Sequence, residues 1–169
     1  MIIVCPLNQV QTQVTTHGAK RVLSLLSPER PPERFTGIEP EHHLWLGFHD
    51  IVQPTEGMTP PTATDAERLV HFISEWDRAA PMLIHCWAGI SRSTAAAYTA
   101  LCLHQPKADE EELALRLRAA SPSATPNRLI VSYTDRLLGR NGRMLKAIDR
   151  IGRGADAFEG TPFTLDIRR

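Results

Sequence analysis

The sequence predicts an α/β fold, a mostly parallel central sheet of four to five strands flanked by helices in three layers. Two observations carry this. Short apolar runs alternate with stretches of helical periodicity along most of the chain. The first two such runs, residues 2–5 and 21–26, enclose a helical stretch, and a strand-helix-strand unit of this kind makes its two strands parallel.

The elements follow in order. Residues 2–5, Ile-Ile-Val-Cys, form a strand. Residues 8–17 form a helix closed by Gly18, the residue type that best takes the left-handed backbone after a last helical turn. Residues 21–26 form a second strand, and residues 27–40, which hold Pro28, Pro31, Pro32 and Pro40, form a loop. Residues 44–48, Leu-Trp-Leu-Gly-Phe, form the next strand, and His49-Asp50 leaves its end. Residues 52–61 have turn residues without periodicity and make a surface loop, suited to a flap. Thr64-Asp65-Ala66-Glu67 resembles a capping box that opens a helix over residues 65–78, with Ala66, Leu69, Val70 and Ile73 on its core face. Residues 81–84, bounded by proline, form a buried strand, and the alanine-rich residues 94–104 form a helix ending before Pro106. Acids at Asp109 to Glu112 and bases at Arg116 and Arg118 give another helix the polarity that suits its dipole. Thr125-Pro126 caps a helix running through Leu138, with proline at its first position, and residues 143–151 form a short further helix. The glycine-bearing tail from Gly152 receives no assignment. The expected organisation is one domain over residues 1–169, its core in about 1–140 and a C-terminal helix and tail over 141–169.

Composition narrows the function classes. A formal net charge of zero and a pI near 7.1 give no global basic surface for nucleic acid or membrane. Residues 1–6 are apolar but lack a basic lead and are too few for a signal peptide or a span. Three cysteines, an odd number, fit a reducing compartment, so a cytoplasmic location is expected.

The chemistry concentrates in His85-Cys86-Trp87-Ala88-Gly89-Ile90-Ser91-Arg92-Ser93. A cysteine six residues before an arginine is a weak signal by itself. Here the pair spans a strand-to-helix turn, where free backbone amides and the helix dipole favour an anion. Gly89 lets the loop curl so that successive amides from Trp87, Ala88, Gly89, Ile90, Ser91 and Arg92 surround one point. The guanidinium of Arg92 can hold two phosphoryl oxygens at once, and the same positive field favours the thiolate of Cys86. Ser93 is placed to donate to the sulfur as it leaves a phosphorylated intermediate.

The pattern His-Cys-x-x-Gly-x-x-Arg-Ser, residues 85–93, resembles the signature loop of the cysteine-based protein tyrosine phosphatases, and the short chain resembles their dual-specificity-like branch. The order of elements is similar from about residue 10 to residue 139. The resemblance implies a phosphatase that works in two steps through a phosphocysteine, with no metal and no cofactor, and with an aspartate on an upstream loop as general acid. Loops after strand C-termini gather on one edge of a parallel sheet, which selects Asp50. Asp65 is the rival, better explained as a helix-capping residue. Asn127 resembles a polar residue that supports the signature loop in relatives, and His85 reads as a structural hydrogen-bonding residue beneath it.

Several of these residues admit other readings. Cys5 and Cys102 read as core residues, with a regulatory disulfide to Cys86 as the alternative. His42, His43 and His49 with Asp50 suggest a metal group, but adjacent histidines on a strand face opposite ways, so no metal is expected. Trp45 and Trp76 read as core, and Trp87 as a pocket wall or a residue packed beneath the loop. Trp87 and Ile90 stand where relatives acting on phosphoinositides often carry lysines. Protein phosphotyrosine is therefore the leading substrate, with a lipid, nucleotide or sugar phosphate as the alternative. A catalytically silent phosphate-binding module and a sulfurtransferase or arsenate reductase complete the field.

Overall fold

The computed structural model describes residues 1–167. Its elements are β1 (Ile2–Pro6), α1 (Val10–His17), β2 (Arg21–Leu26), β3 (His43–Gly47), α2 (Ala63–Ser74), β4 (Met82–Cys86), α3 (Arg92–His104), α4 (Glu110–Ala120), α5 (Arg128–Leu137), α6 (Arg143–Ile151) and β5 (Phe163–Leu165). The sheet has five strands in the order β3-β2-β4-β1-β5. β3, β2, β4 and β1 run parallel, and β5 pairs antiparallel with the outer side of β1. β1 and β2 are thus parallel, as their connection requires, but β4 lies between them.

The two faces of the sheet build separate cores because side chains alternate along each strand. Ile2, Val4, Leu23, Leu25, Ile84 and Cys86 face the layer of α2 to α6. Ile3, Cys5, Val22 and Leu83 face α1 and Phe35. Every residue of β1 and of β4 is buried, and a strand covered on both faces carries an unbroken apolar run. α1 closes on Gly18 at φ +65°, as its sequence predicts.

Several boundaries differ from the sequence reading. The capping box of α2 joins Thr62 to Asp65, not Thr64 to its followers: Asp65 N–H donates to Thr62 Oγ1, and Asp65 Oδ2 accepts from Thr62 N–H. α2 stops at Ser74, and Trp76 stays buried beyond it by donating its indole N–H to Ala80 O. The cap of α5 is Asn127, whose Oδ1 accepts from Leu129 and Ile130 N–H, so Pro126 precedes the cap instead of opening the helix. The unassigned tail contains β5. Among the described residues, no helix is long and apolar enough to cross a membrane.

Candidate active site

Cys86 is the last residue of β4 and Arg92 the first of α3, so the signature loop is the whole connection between a buried strand and a buried helix. Gly89 has φ +71°, and a Cβ there would lie 2.8 Å from Pro6 N and 2.9 Å from Cys5 C. Only glycine satisfies both conditions, since any side chain would be driven into the end of β1. Leu7 N–H donates to Trp87 O at 3.1 Å, which ties the start of the loop to the same strand end.

This curl aims donors at the sulfur. Gly89 N–H donates to Cys86 Sγ at 3.2 Å, and Ser93 Oγ lies 3.1 Å from it. Toward a thiolate, the Ser93 hydroxyl donates. Arg92 is only 6% exposed, and its Nη1 donates to Phe48 O at 2.9 Å, at the exit of β3. Its Nε is buried with no partner, a desolvated cationic donor that an anion in the loop would satisfy.

Behind the loop, His85 Nε2 lies 2.6 Å from Ser24 Oγ, its Nδ1 3.2 Å from Cys86 O, and Ser24 Oγ lies 2.8 Å from His43 Nε2. The carbonyl can only accept, so Nδ1 of His85 donates and, in a neutral ring, Nε2 accepts from Ser24. Ser24 oxygen then accepts from His43 Nε2–H. Burial holds the His85 pKa down to about 4, which keeps the ring neutral. The unfolded chain binds this proton at about 6.5, so stability conferred by neutral His85 is complete above that pH and is lost as pH falls toward 4. His43 and His104, also lowered by burial, act in the same direction. Unfolding free energies from urea titrations across that window are expected to fall with acidification, by up to about 1.4 kcal/mol per pH unit from His85 alone. His85→Gln, where it folds, should flatten the slope, and an unchanged slope would contradict the assignment.

Asp50 reaches the same loop from β3. Its Oδ1 accepts from Ser91 Oγ at 2.7 Å and from Asn127 Nδ2 at 2.8 Å. Asn127 Nδ2 also donates to Ile51 O, while its Oδ1 caps α5, so one side chain holds a helix start and the carboxylate together. The backbone completes the tie: Thr125 N–H donates to Ile90 O and Asn127 N–H to Ser91 O. Asp65 is engaged in its capping box.

The remaining candidates fall in distinct places. Cys5 lies in the core on the face opposite Cys86, Cys102 is buried in α3, and all three cysteines are free. Burial pushes the thiols of Cys5 and Cys102 up to about 12. His43 turns toward Ser24, whereas His49 contacts Glu29 and accepts from Thr59 N–H at Nδ1, closing the base of the loop that carries Asp50. That pinning role of His49 escaped the sequence reading, because Thr59 lies ten residues along an aperiodic loop. Trp87 is half exposed, with the Arg30 guanidinium 4.1 Å from its ring centre.

The protein-tyrosine phosphatase family matches residues 48–121, the segment that holds Asp50 and the signature loop. No curated protein matches the chain by sequence. Among solved structures, DUSP15 superposes with a TM-score of 0.61 at 16% identity, covering 88% of this chain and 90% of that one. Human DUSP28 gives 0.61 at 16% identity over 89% and 95%, and PTPMT1, solved in complex with PI(5)P, gives 0.58 at 15% over 83% and 94%. At these identities the likeness is one of fold, and the family match supplies the chemistry-bearing segment within it. Residues 48–121 of the chain are thus similar to the protein-tyrosine phosphatase family, within a fold similar to that of the dual-specificity phosphatases.

Proposed function

We propose that the protein hydrolyses phosphate monoesters, protein phosphotyrosine foremost, through a phosphocysteine on Cys86. The observation that carries this reading is the unpartnered Nε of Arg92, buried beside a loop whose amide and hydroxyl donors converge on Cys86 Sγ. A phosphoryl group in the loop meets that Nε, the loop amides and the sulfur together.

In the first step Sγ attacks phosphorus and the bond to the ester oxygen breaks as Asp50 gives that oxygen its proton. In the second, Asp50 takes a proton from water as the water oxygen attacks phosphorus and the S–P bond breaks, while the Ser93 hydroxyl donates to the departing thiolate. Asn127 and Ser91 act as positioning residues, fixing the carboxylate over the loop. Trp87 and Ile90 place no cation within the loop to meet additional phosphates, which favours a singly phosphorylated side chain over a polyanionic headgroup such as the one bound to PTPMT1. Phosphorylated small molecules are the second substrate class, and a single domain in the cytoplasm is the setting this reading assumes.

Asp50→Asn tests the mechanism. On a phosphotyrosine peptide with chelator present, kcat should fall about 10²- to 10⁴-fold, and the limb of the pH–rate profile that reports the acid should disappear. An Asp50→Asn enzyme with the wild-type kcat and pH profile would remove Asp50 from the chemistry.

A further inference from the structure

His49 stands immediately before Asp50, and its side chain is only 15% exposed although the loop that follows, residues 52–59, lies in solvent. The ring closes the neck of that loop. His49 N–H donates to Thr59 O at 2.7 Å, and Thr59 N–H donates back to His49 Nδ1 at 2.8 Å. Ile51 N–H donates to His49 O at 3.0 Å, a tight turn with Asp50 at its centre. Thr59 is a firm anchor, because Pro60 and the buried Pro61 restrict the backbone between it and Thr62, the cap of α2. The backbone that projects the Asp50 carboxyl is thus pinned to the start of a helix.

Glu29 decides which tautomer the ring adopts. Nδ1 accepts from Thr59, so in a neutral ring the proton sits on Nε2, which lies 3.1 Å from both carboxylate oxygens of Glu29. The carboxylate accepts from Nε2–H and holds the proton there. Without that acceptor the proton is free to move to Nδ1, where it would face the Thr59 amide donor to donor. Glu29 itself sits in a turn after β2, closed by Arg30 N–H donating to Ser27 O, and Arg30 lies over the Trp87 ring of the signature loop. One turn therefore touches both the loop that carries Asp50 and the loop that carries Cys86.

We propose that Glu29 and His49 are positioning residues of the reaction, a latch that acts through Thr59 to set Asp50 where it can protonate the leaving oxygen. The proposal rests on the phosphatase reading above. Ser91 and Asn127 hold the carboxyl itself, whereas the latch fixes the turn from which that carboxyl projects.

The test varies the leaving group and reads kcat/KM, which covers the first step alone. A strongly acidic phenol departs as its anion without a proton, whereas tyrosine needs one from Asp50. Glu29→Ala and His49→Leu should each lose roughly tenfold on phosphotyrosine, and progressively less on aryl phosphates with more acidic leaving groups. Glu29 is 68% exposed, so Glu29→Ala leaves the core untouched. Glu29→Gln, which keeps an acceptor for Nε2–H, should recover most of the loss. In the Asp50→Asn background neither variant should cost anything further, since no acid is left to place. Equal losses along the whole leaving-group series, or a full tenfold loss added to that of Asp50→Asn, overturn the latch and leave the phosphatase reading intact. Should wild type hydrolyse no phosphate monoester, that reading falls and hydrogen exchange still decides the latch. The Thr59 amide should exchange about fivefold faster in Glu29→Ala, the worth of one hydrogen bond, and an unchanged rate overturns the latch.

Discussion

Cys86→Ser is expected to lower kcat on phosphotyrosine by about 10⁴-fold or more and to abolish the burst of leaving group that marks a covalent intermediate. The reason lies in what surrounds the sulfur. Both partners of Sγ, the Gly89 amide and the Ser93 hydroxyl, can donate, so the site is built for an atom that already bears negative charge. A serine hydroxyl would need a base to reach that state. The adjacent His85 cannot supply one, since its two ring nitrogens are engaged with Ser24 and with the Cys86 carbonyl. The fold should tolerate the change, because serine preserves the shape of a side chain only 3% exposed. Stopped-flow release of an aryl leaving group gives the burst directly, and a Cys86→Ser enzyme retaining it would exclude the phosphocysteine.

Arg92→Lys is expected to cost about 10³-fold in kcat/KM, despite conserving the charge. The guanidinium performs two tasks at once. Nη1 is tied to Phe48 O, and Nε is buried with no hydrogen-bond partner. A single ammonium nitrogen has three donors but no planar fork, so it cannot meet two phosphoryl oxygens side by side while it also holds the carbonyl. Ligand-linked stability separates this effect from a damaged fold. Wild type should gain thermal stability from vanadate or inorganic phosphate, because the anion pairs a desolvated donor, and Arg92→Lys should lose most of that gain. Retention of the full stabilisation by the lysine variant would show that Nε is not a phosphate ligand.

What the sequence revealed of this site follows from where the information is stored. Cys86, Gly89, Arg92 and Ser93 were legible because a loop between a strand and a helix encodes its geometry in consecutive residues. Asp50 was legible because the exit of a parallel strand has only one edge of the sheet to point toward. Asn127 was found through resemblance, but its work as the α5 cap was not, since Thr125-Pro126 offers an equally good local pattern. Thr62 was missed as the cap of α2 for a similar reason: Thr62 and Thr64 both precede acids at capping distances, and tertiary packing selects between them. β5 had no local signature. Three residues are too few to show periodicity, and their partners in β1 lie far away in sequence.

The register that sets Ile3 beside Thr164 bears on how the enzyme is made. Gly89 rests on Cys5 and Pro6, and Ala88 accepts from Gly160, so the signature loop is braced by two segments that lie far apart in sequence. Helical pairs between these segments can dock from local contacts, but this brace must wait for closure of a very long loop, the slow kind of step in folding. During vectorial synthesis the signature loop is therefore fully braced only after the segment around Gly160 has left the ribosome, and a nascent chain stalled before that segment carries Cys86 in an unfinished cradle.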